Sequence, residues 1–187
     1  MLVTVPVRQF AMFGSLALFL GACAAPESRP TGVGLKLTPA ELGETISLQQ
    51  HLDVEGLGRR AQLEVAIEVD AVRIDLVGLA LGQRVVSLHY DGKTLQSWHQ
   101  PMWPAQLRAE EVLENLQLTL WPIDAIRQAL PSGWNIEQSG FRRTILQDHL
   151  AVMVIDYSAL PLWSGKIEVT NLQLDYRITI QSVPNEP

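Results

Sequence analysis

From about Glu44 almost to its C-terminus this chain alternates apolar and polar residues with a period of two, the spacing of a strand that buries one face. Leu63, Val65, Ile67 and Val69 are interleaved with Glu64, Ala66 and Glu68. Val72, Ile74 and Leu76 then continue in a shifted phase, which places a turn or bulge near Asp70-Ala71. Val86, Leu88 and Tyr90 run into Asp91-Gly92, a strong two-residue hairpin signal, with the next strand over Thr94 to Trp98. After a helical interval the strands return. Trp134 to Gln138 and Arg142 to Gln147 flank Ser139-Gly140, and the unbroken apolar run Leu150 to Ile155 predicts a central strand buried on both faces. Ile167 and Val169 lead to Asn171, and Leu174, Tyr176, Ile178 and Ile180 alternate to the end.

The interruption begins at Pro101-Met102-Trp103-Pro104. Between Leu107 and Leu120 the apolar positions Val112, Leu113, Leu116 and Leu120 recur at helical spacing, and Glu110, Glu111 and Glu114 are expected on the opposite, solvated face. Trp121-Pro122 ends that helix. A second short helix carries Ile123, Ile126 and Leu130 on one side, and Pro131 and Gly133 stop it.

The fold class that follows is mainly β (α+β): a curved antiparallel sheet forming a half-open barrel with a short helical lid or plug. A sheet with one apolar face must pack on another layer or curl around something, and two short helices are too little to cover it flat. Such a barrel either encloses an apolar cavity or collapses to a filled core. The tryptophans at element ends, Trp98, Trp103, Trp121 and Trp134, together with Leu113, Leu116 and Ile126, are the candidates to line that cavity. For any single ring, ordinary core packing is the stronger reading. One domain over residues 44–183 accounts for all of these elements.

The N-terminus has a different character. Arg8 is the only charged side chain before Glu27, and Phe10 to Leu20 is an apolar run too short to span a bilayer, the pattern of a secretory signal. Leu20-Gly21-Ala22-Cys23 follows, and it resembles the bacterial lipobox. That resemblance implies cleavage after residue 22, with residues 1–22 a lipoprotein signal peptide, and lipidation of Cys23. Cys23 is the only cysteine in the chain, so the remainder forms no disulfide. The alternative is an ordinary signal peptide cut near Ala22 or Ala25. Residues 23–43, with Pro26, Pro30, Gly32 and Gly34 near their start, are expected to be the lipidated cysteine and a flexible tether. Ala24 rather than aspartate after the cysteine implies, for a Gram-negative source, the outer membrane, facing the periplasm. The formal net charge of -6 becomes more negative once Arg8 is lost. Attachment must therefore rest on acyl chains rather than on basic residues, and nucleic acid is excluded as a partner.

The order of lipobox, antiparallel strands, helix ending at Leu-Trp-Pro, second helix and closing strands resembles the LolA/LolB superfamily of lipoprotein carriers. The stretch from Glu111 through Trp121-Pro122 to Arg127 is similar to the helix-to-loop passage of LolB. The closing stretch from Gly165 to Ile180 is similar to LolB-like uncharacterised lipoproteins of aryl-polyene biosynthesis clusters. The resemblance covers most of the mature chain. It implies an outer-membrane-anchored, periplasm-facing protein that binds or transfers acyl chains of a lipid or lipoprotein in a hydrophobic cavity, with a periplasmic carrier protein as a further partner. LolB inserts its cargo with an exposed leucine on a protruding loop; Leu79-Ala80-Leu81-Gly82 is either that apolar tip or the end of a strand.

No motif here demands catalysis. His51, His89, His99 and His149 lack zinc-peptidase spacing, and no Gly-x-Ser-x-Gly or phosphate loop occurs in the mature chain. Neither metal nor cofactor is expected, and the chain is read as a non-enzyme. The competing readings are a non-catalytic envelope docking or assembly lipoprotein, favoured by a filled interior with an exposed apolar patch, and, further off, an envelope hydrolase or acyltransferase.

Overall fold

The computed structural model describes residues 32–56, 58–101 and 108–184. Cys23, the signal peptide and Trp103 lie outside the described residues. Within them the chain forms β1 (Ile46–Gly56), β2 (Arg59–Val69), β3 (Ile74–Ala80), β4 (Gln83–Tyr90) and β5 (Leu95–His99). Two helices follow, α1 (Ala109–Leu120) and α2 (Ile123–Ala129). Then come β6 (Trp134–Ser139), β7 (Arg142–Gln147), β8 (Leu150–Tyr157), β9 (Gly165–Asn171) and β10 (Tyr176–Pro184).

The strands make one open antiparallel sheet in the order β5-β4-β3-β2-β1-β10-β9-β8-β7-β6. Each half is a meander, and the two halves meet where β1 pairs with β10, from Leu48 opposite Pro184 to Gly56 opposite Tyr176. The two edge strands, β5 and β6, are the ones joined by the helices. Turn chemistry fixes the hairpins. The phase shift at Asp70 is a tight turn in which the Asp70 carboxylate accepts the N–H of Val72 and Arg73 at 2.8 and 2.9 Å. The Asp91 loop is longer than a two-residue turn, since Tyr90 pairs with Leu95, and its carboxylate accepts the N–H of Lys93 and Thr94.

Alternation puts most of the apolar residues of the strands on one face. Leu48, Ile67, Leu76 and Leu88 form a row across β1 to β4, and Ile136, Ile145, Met153, Ile155, Val169, Ile167 and Ile180 continue it through the other half. The outer face carries the charged residues, including the ion pairs Arg142–Asp156 and Lys166–Glu168. β8 corrects the expectation of a strand buried on both faces. Its burial alternates, with Met153, Ile155 and Tyr157 inward, and Leu150 exposed beside the turn. Val154 on its outer face is half-buried, and Val152, left unpaired at a register shift opposite Ile145 and Leu146, packs against the core beside Met153, so the apolar run marks a strand buried on one face.

What covers the inner face is α1, which is buried almost all round from Leu113 to Leu120. A helix in that state is inside the protein, not on it, so it is a plug rather than a lid. A second cover was expected to be tether. Val33 to Leu42 instead packs on the domain, with Leu35, Leu37 and Leu42 in the core and a 3-10 turn over Pro39–Leu42. The reason is visible in Val33, Leu35 and Leu37, three apolar side chains at spacing two that have a hydrophobic surface to join.

Candidate functional site

The interior is where the chain spends its unusual residues. Among the buried polar side chains, Arg143, Gln117 and Glu114 all engage α1 or lie on it. Arg143 projects inward from β7 because it alternates in phase with Ile145. Its Nη1 donates to the carbonyls of Leu118 at 2.6 Å and Trp121 at 3.1 Å, with a longer bond to Thr119 at 3.5 Å. Nε and Nη2 donate to Gln138 Oε1 at 3.2 and 3.1 Å. The last carbonyls of a helix lack intrahelical partners and carry the negative end of its dipole, so a guanidinium placed there satisfies both. Tyr157 adds a hydroxyl that donates to Thr119 O at 2.7 Å. Arg143 also stands over the Tyr157 ring at 5.6 Å. Burial lowers the pKa of Arg143 from its ordinary value, and burial pushes the Tyr157 phenol up to about 12, opposed by the positive charge of Arg143.

Along the helix, Glu114 and Gln117 face the segment that precedes β1. The Glu114 carboxylate accepts the backbone N–H of Val33 and Gly34, both at 2.7 Å, and of Leu35 at 3.3 Å. Gln117 pairs with Leu37, accepting its N–H at 3.0 Å and donating to its carbonyl at 2.7 Å. Trp121 Nε1 donates to Thr38 O at 3.1 Å. Glu114 was expected on the solvated face; it is buried because those three donors replace water. Burial nevertheless raises its pKa, with the three N–H donors pulling the other way and the neighbouring charge of Glu111 adding to the rise.

The cavity candidates divide. Leu113, Leu116, Trp121 and Ile126 lie in the hydrophobic core, Trp121 and Ile126 with no exposed surface. Trp134 is partly buried and lines a cavity of about 10 Å³ with Val33, Glu114, Leu118, Ile145, Val152, Met153, Asn171 and Gln173, room for one water and no ligand. The expected roomy cavity is thus filled by α1. Trp98 faces outward opposite Ser87, with Arg84 over its ring at 4.6 Å, because Leu95, Ser97 and His99 take the inward positions of β5. Sequence reading missed Arg143, Gln117 and Tyr157. The inward phase of Arg143 in an alternating strand was the one signal available for it.

His51 and His89 lie on the outer face. His51 Nδ1 lies 2.6 Å from Glu64, with Asp53 at 3.7 Å from Nε2, and His89 Nδ1 lies 2.7 Å from Asp75. The His51–Glu64 and His89–Asp75 contacts are cross-strand pairs near solvent, and Glu64 raises the pKa of His51.

At the hairpin between β3 and β4, Leu81 is fully exposed at φ 51° and Gly82 follows at φ 73°. Ala80 pairs with Gln83, so the two residues are a tight two-residue turn. Leu79-Ala80-Leu81-Gly82 therefore both ends a strand and presents an apolar tip.

No curated protein matches the sequence. Residues 47–184 match the family described as "Protein of unknown function (DUF3261)", a span from the second residue of β1 to the last of β10. With most of its length inside that match, the chain belongs to the DUF3261 family.

Proposed function

We propose that this protein is a LolA/LolB-like lipoprotein of the outer membrane, held by lipid on Cys23 and facing the periplasm, that binds and passes on the acyl chains of a lipid or lipoprotein without catalysis. The observation that carries this reading is the plug. The inner face of the sheet is mainly apolar across β1 to β4 and β7 to β10, and it is closed by a helix rather than by strand pairing. Withdrawing α1 from the sheet breaks the side-chain bonds of Arg143 and Tyr157 to its last carbonyls and leaves every ladder intact.

The magnitudes suit an exchange. Burying a fatty chain of about fourteen methylenes at ~0.8 kcal/mol each gives roughly 11 kcal/mol. Exposing Leu113, Leu116, Leu118 and Leu120 of α1 and Trp121 at its end, at roughly 1.5–3 kcal/mol each, loses a comparable amount. Cargo and plug can then replace one another with little net change, which is what transfer needs.

Membrane contact fits one end of the sheet. All odd-numbered strands run the same way, so the β3–β4, β7–β8 and β9–β10 turns share an end, and exposed Leu81, Leu150 and Leu172 stand at them. Val33, where the described chain leaves the domain toward Cys23, lines the same small cavity as Asn171 and Gln173 beside the β9–β10 turn. Leu81 is the counterpart of the inserting leucine of LolB, and a periplasmic carrier is the partner expected to deliver cargo there.

The test is lipid extraction and displacement of a fluorescent fatty acid, on the wild type and on Arg143→Met. Arg143→Met keeps the apolar stem but frees the end of α1, and it is expected to bind the probe at least ten-fold more tightly than the wild type. If neither protein binds probe nor carries extractable lipid, the reading fails. The filled interior and the unpaired edges of β5 and β6 would then favour a docking lipoprotein.

A further inference from the structure

Residues 33–38 pair with no strand among the described residues, and Gly34 within them turns the chain at φ 75°. Their backbone is instead bonded to side chains of a single helix. Val33, Gly34 and Leu35 donate to Glu114, Leu37 exchanges two bonds with Gln117, and Thr38 accepts from Trp121. Glu114, Gln117 and Trp121 are spaced i, i+3, i+7, so they form one stripe down α1. Side chains on one helix face thus do for this segment what a neighbouring strand does in a ladder. Meanwhile Leu35 and Leu37 point into the core. Contact is close enough to restrict the sequence, since a Cβ on Gly32 would stand 3.0 Å from the Glu114 carboxylate.

We propose that residues 33–38 and α1 form one opening unit, a strap and plug that leave the sheet together, so that the state of the N-terminus controls access to the inner face. The inference rests on reading α1 as a displaceable plug. Its physical ground is cooperativity. Separating the strap from α1 would strand the buried Glu114 carboxylate, both polar ends of Gln117 and up to four backbone N–H groups, each of which needs a partner when buried. Moving the two together strands none of them. Cys23 precedes Gly32 by nine residues, a reach of roughly 30 Å when extended. The anchor therefore pulls on the strap once the domain stands farther from the membrane than that reach. An anchored protein standing off from its bilayer is pulled toward the open state, and one lying against it is relaxed and closed.

Hydrogen–deuterium exchange on the full chain, extracted from membranes in detergent, tests this. In the wild type, amides of 33–38 and of Leu113–Leu120 are expected to exchange at one common opening rate, faster than those of β1 to β4. Glu114→Gln, which keeps the size but leaves one acceptor oxygen for three donors, is expected to speed both segments by about ten-fold and leave the strands unchanged. Gly32→Val, which presses on the same carboxylate from the strap side, is expected to do likewise. If either variant frees the strap while α1 keeps its wild-type rate, the strap is a passive tail and the coupling is refuted. If α1 exchanges only together with the strands in all three proteins, it is not a displaceable plug, and the proposed carrier mechanism falls along with this inference. If strap and plug open together but no acyl probe binds, the device stands and the cargo assignment alone is lost.

Discussion

Glu114 is a carboxylate buried on α1 by three backbone N–H donors of the segment before β1. Its place among Glu110 and Glu111 near the start of an amphipathic helix suggests a solvated face, and no local pattern distinguishes it from them. Only the arrival of Val33, Gly34 and Leu35 from about eighty residues earlier supplies the donors that let it be buried. Its raised pKa has a definite sign. The folded state holds the proton more tightly than the unfolded chain, so the contribution is favourable on the acid side and is lost as pH rises from the ordinary value of 4.5 through the raised one. Denaturant melts of the wild type and Glu114→Gln at several pH values are expected to show the wild type gaining stability relative to the variant as pH falls from neutral toward 5. A difference that does not change with pH would mean the carboxylate titrates normally. Arg143 taught the converse lesson: a charged residue at an inward position of an alternating strand marks a buried polar contact, here the end of a helix that no sequence spacing connects to it.

At the scale of elements, the β3–β4 hairpin breaks the usual rule for its turn. A two-residue turn with both residues at positive φ is best made by Asn-Gly, and leucine in the left-handed region is strained by about 1 kcal/mol. Leu81 holds that position while fully exposed, so neither folding nor packing explains it. Leu81→Asn is expected to raise stability by roughly 0.5–1 kcal/mol in a thermal or denaturant melt and to weaken transfer of cargo into vesicles. Unchanged transfer would remove the leucine from the proposed mechanism. The strands and helices themselves were legible, because periods of two and of 3.6 come from the backbone alone. The apolar run of β8 does not say which layer lies against each face, and only one of its faces is buried in the core.

The whole molecule is held by a seam that joins its two ends. β1 pairs with β10 over Leu48–Gly56, and each belongs to a different meander. A chain ending at Asn171 loses β10 and exposes the edges of β1 and β9 across the middle of the inner face. Such a chain is expected to show no cooperative unfolding transition by circular dichroism, and a normal melt would mean the halves are independent. The same long-range closure puts the whole domain in the slow-folding class of non-local β proteins.

By itself the sequence determined the alternating strands, the two helices, most of their boundaries and the mainly-β antiparallel class, because those follow from periodicity and turn chemistry within a few residues. The tertiary structure decided that α1 fills the interior, that residues 33–42 belong to the domain, and that Glu114, Gln117 and Arg143 are buried rather than solvated. It also decided that Trp98 faces away from the interior. Each of these depends on which distant segment lies opposite a given face, and local periodicity carries no information about what that segment will be.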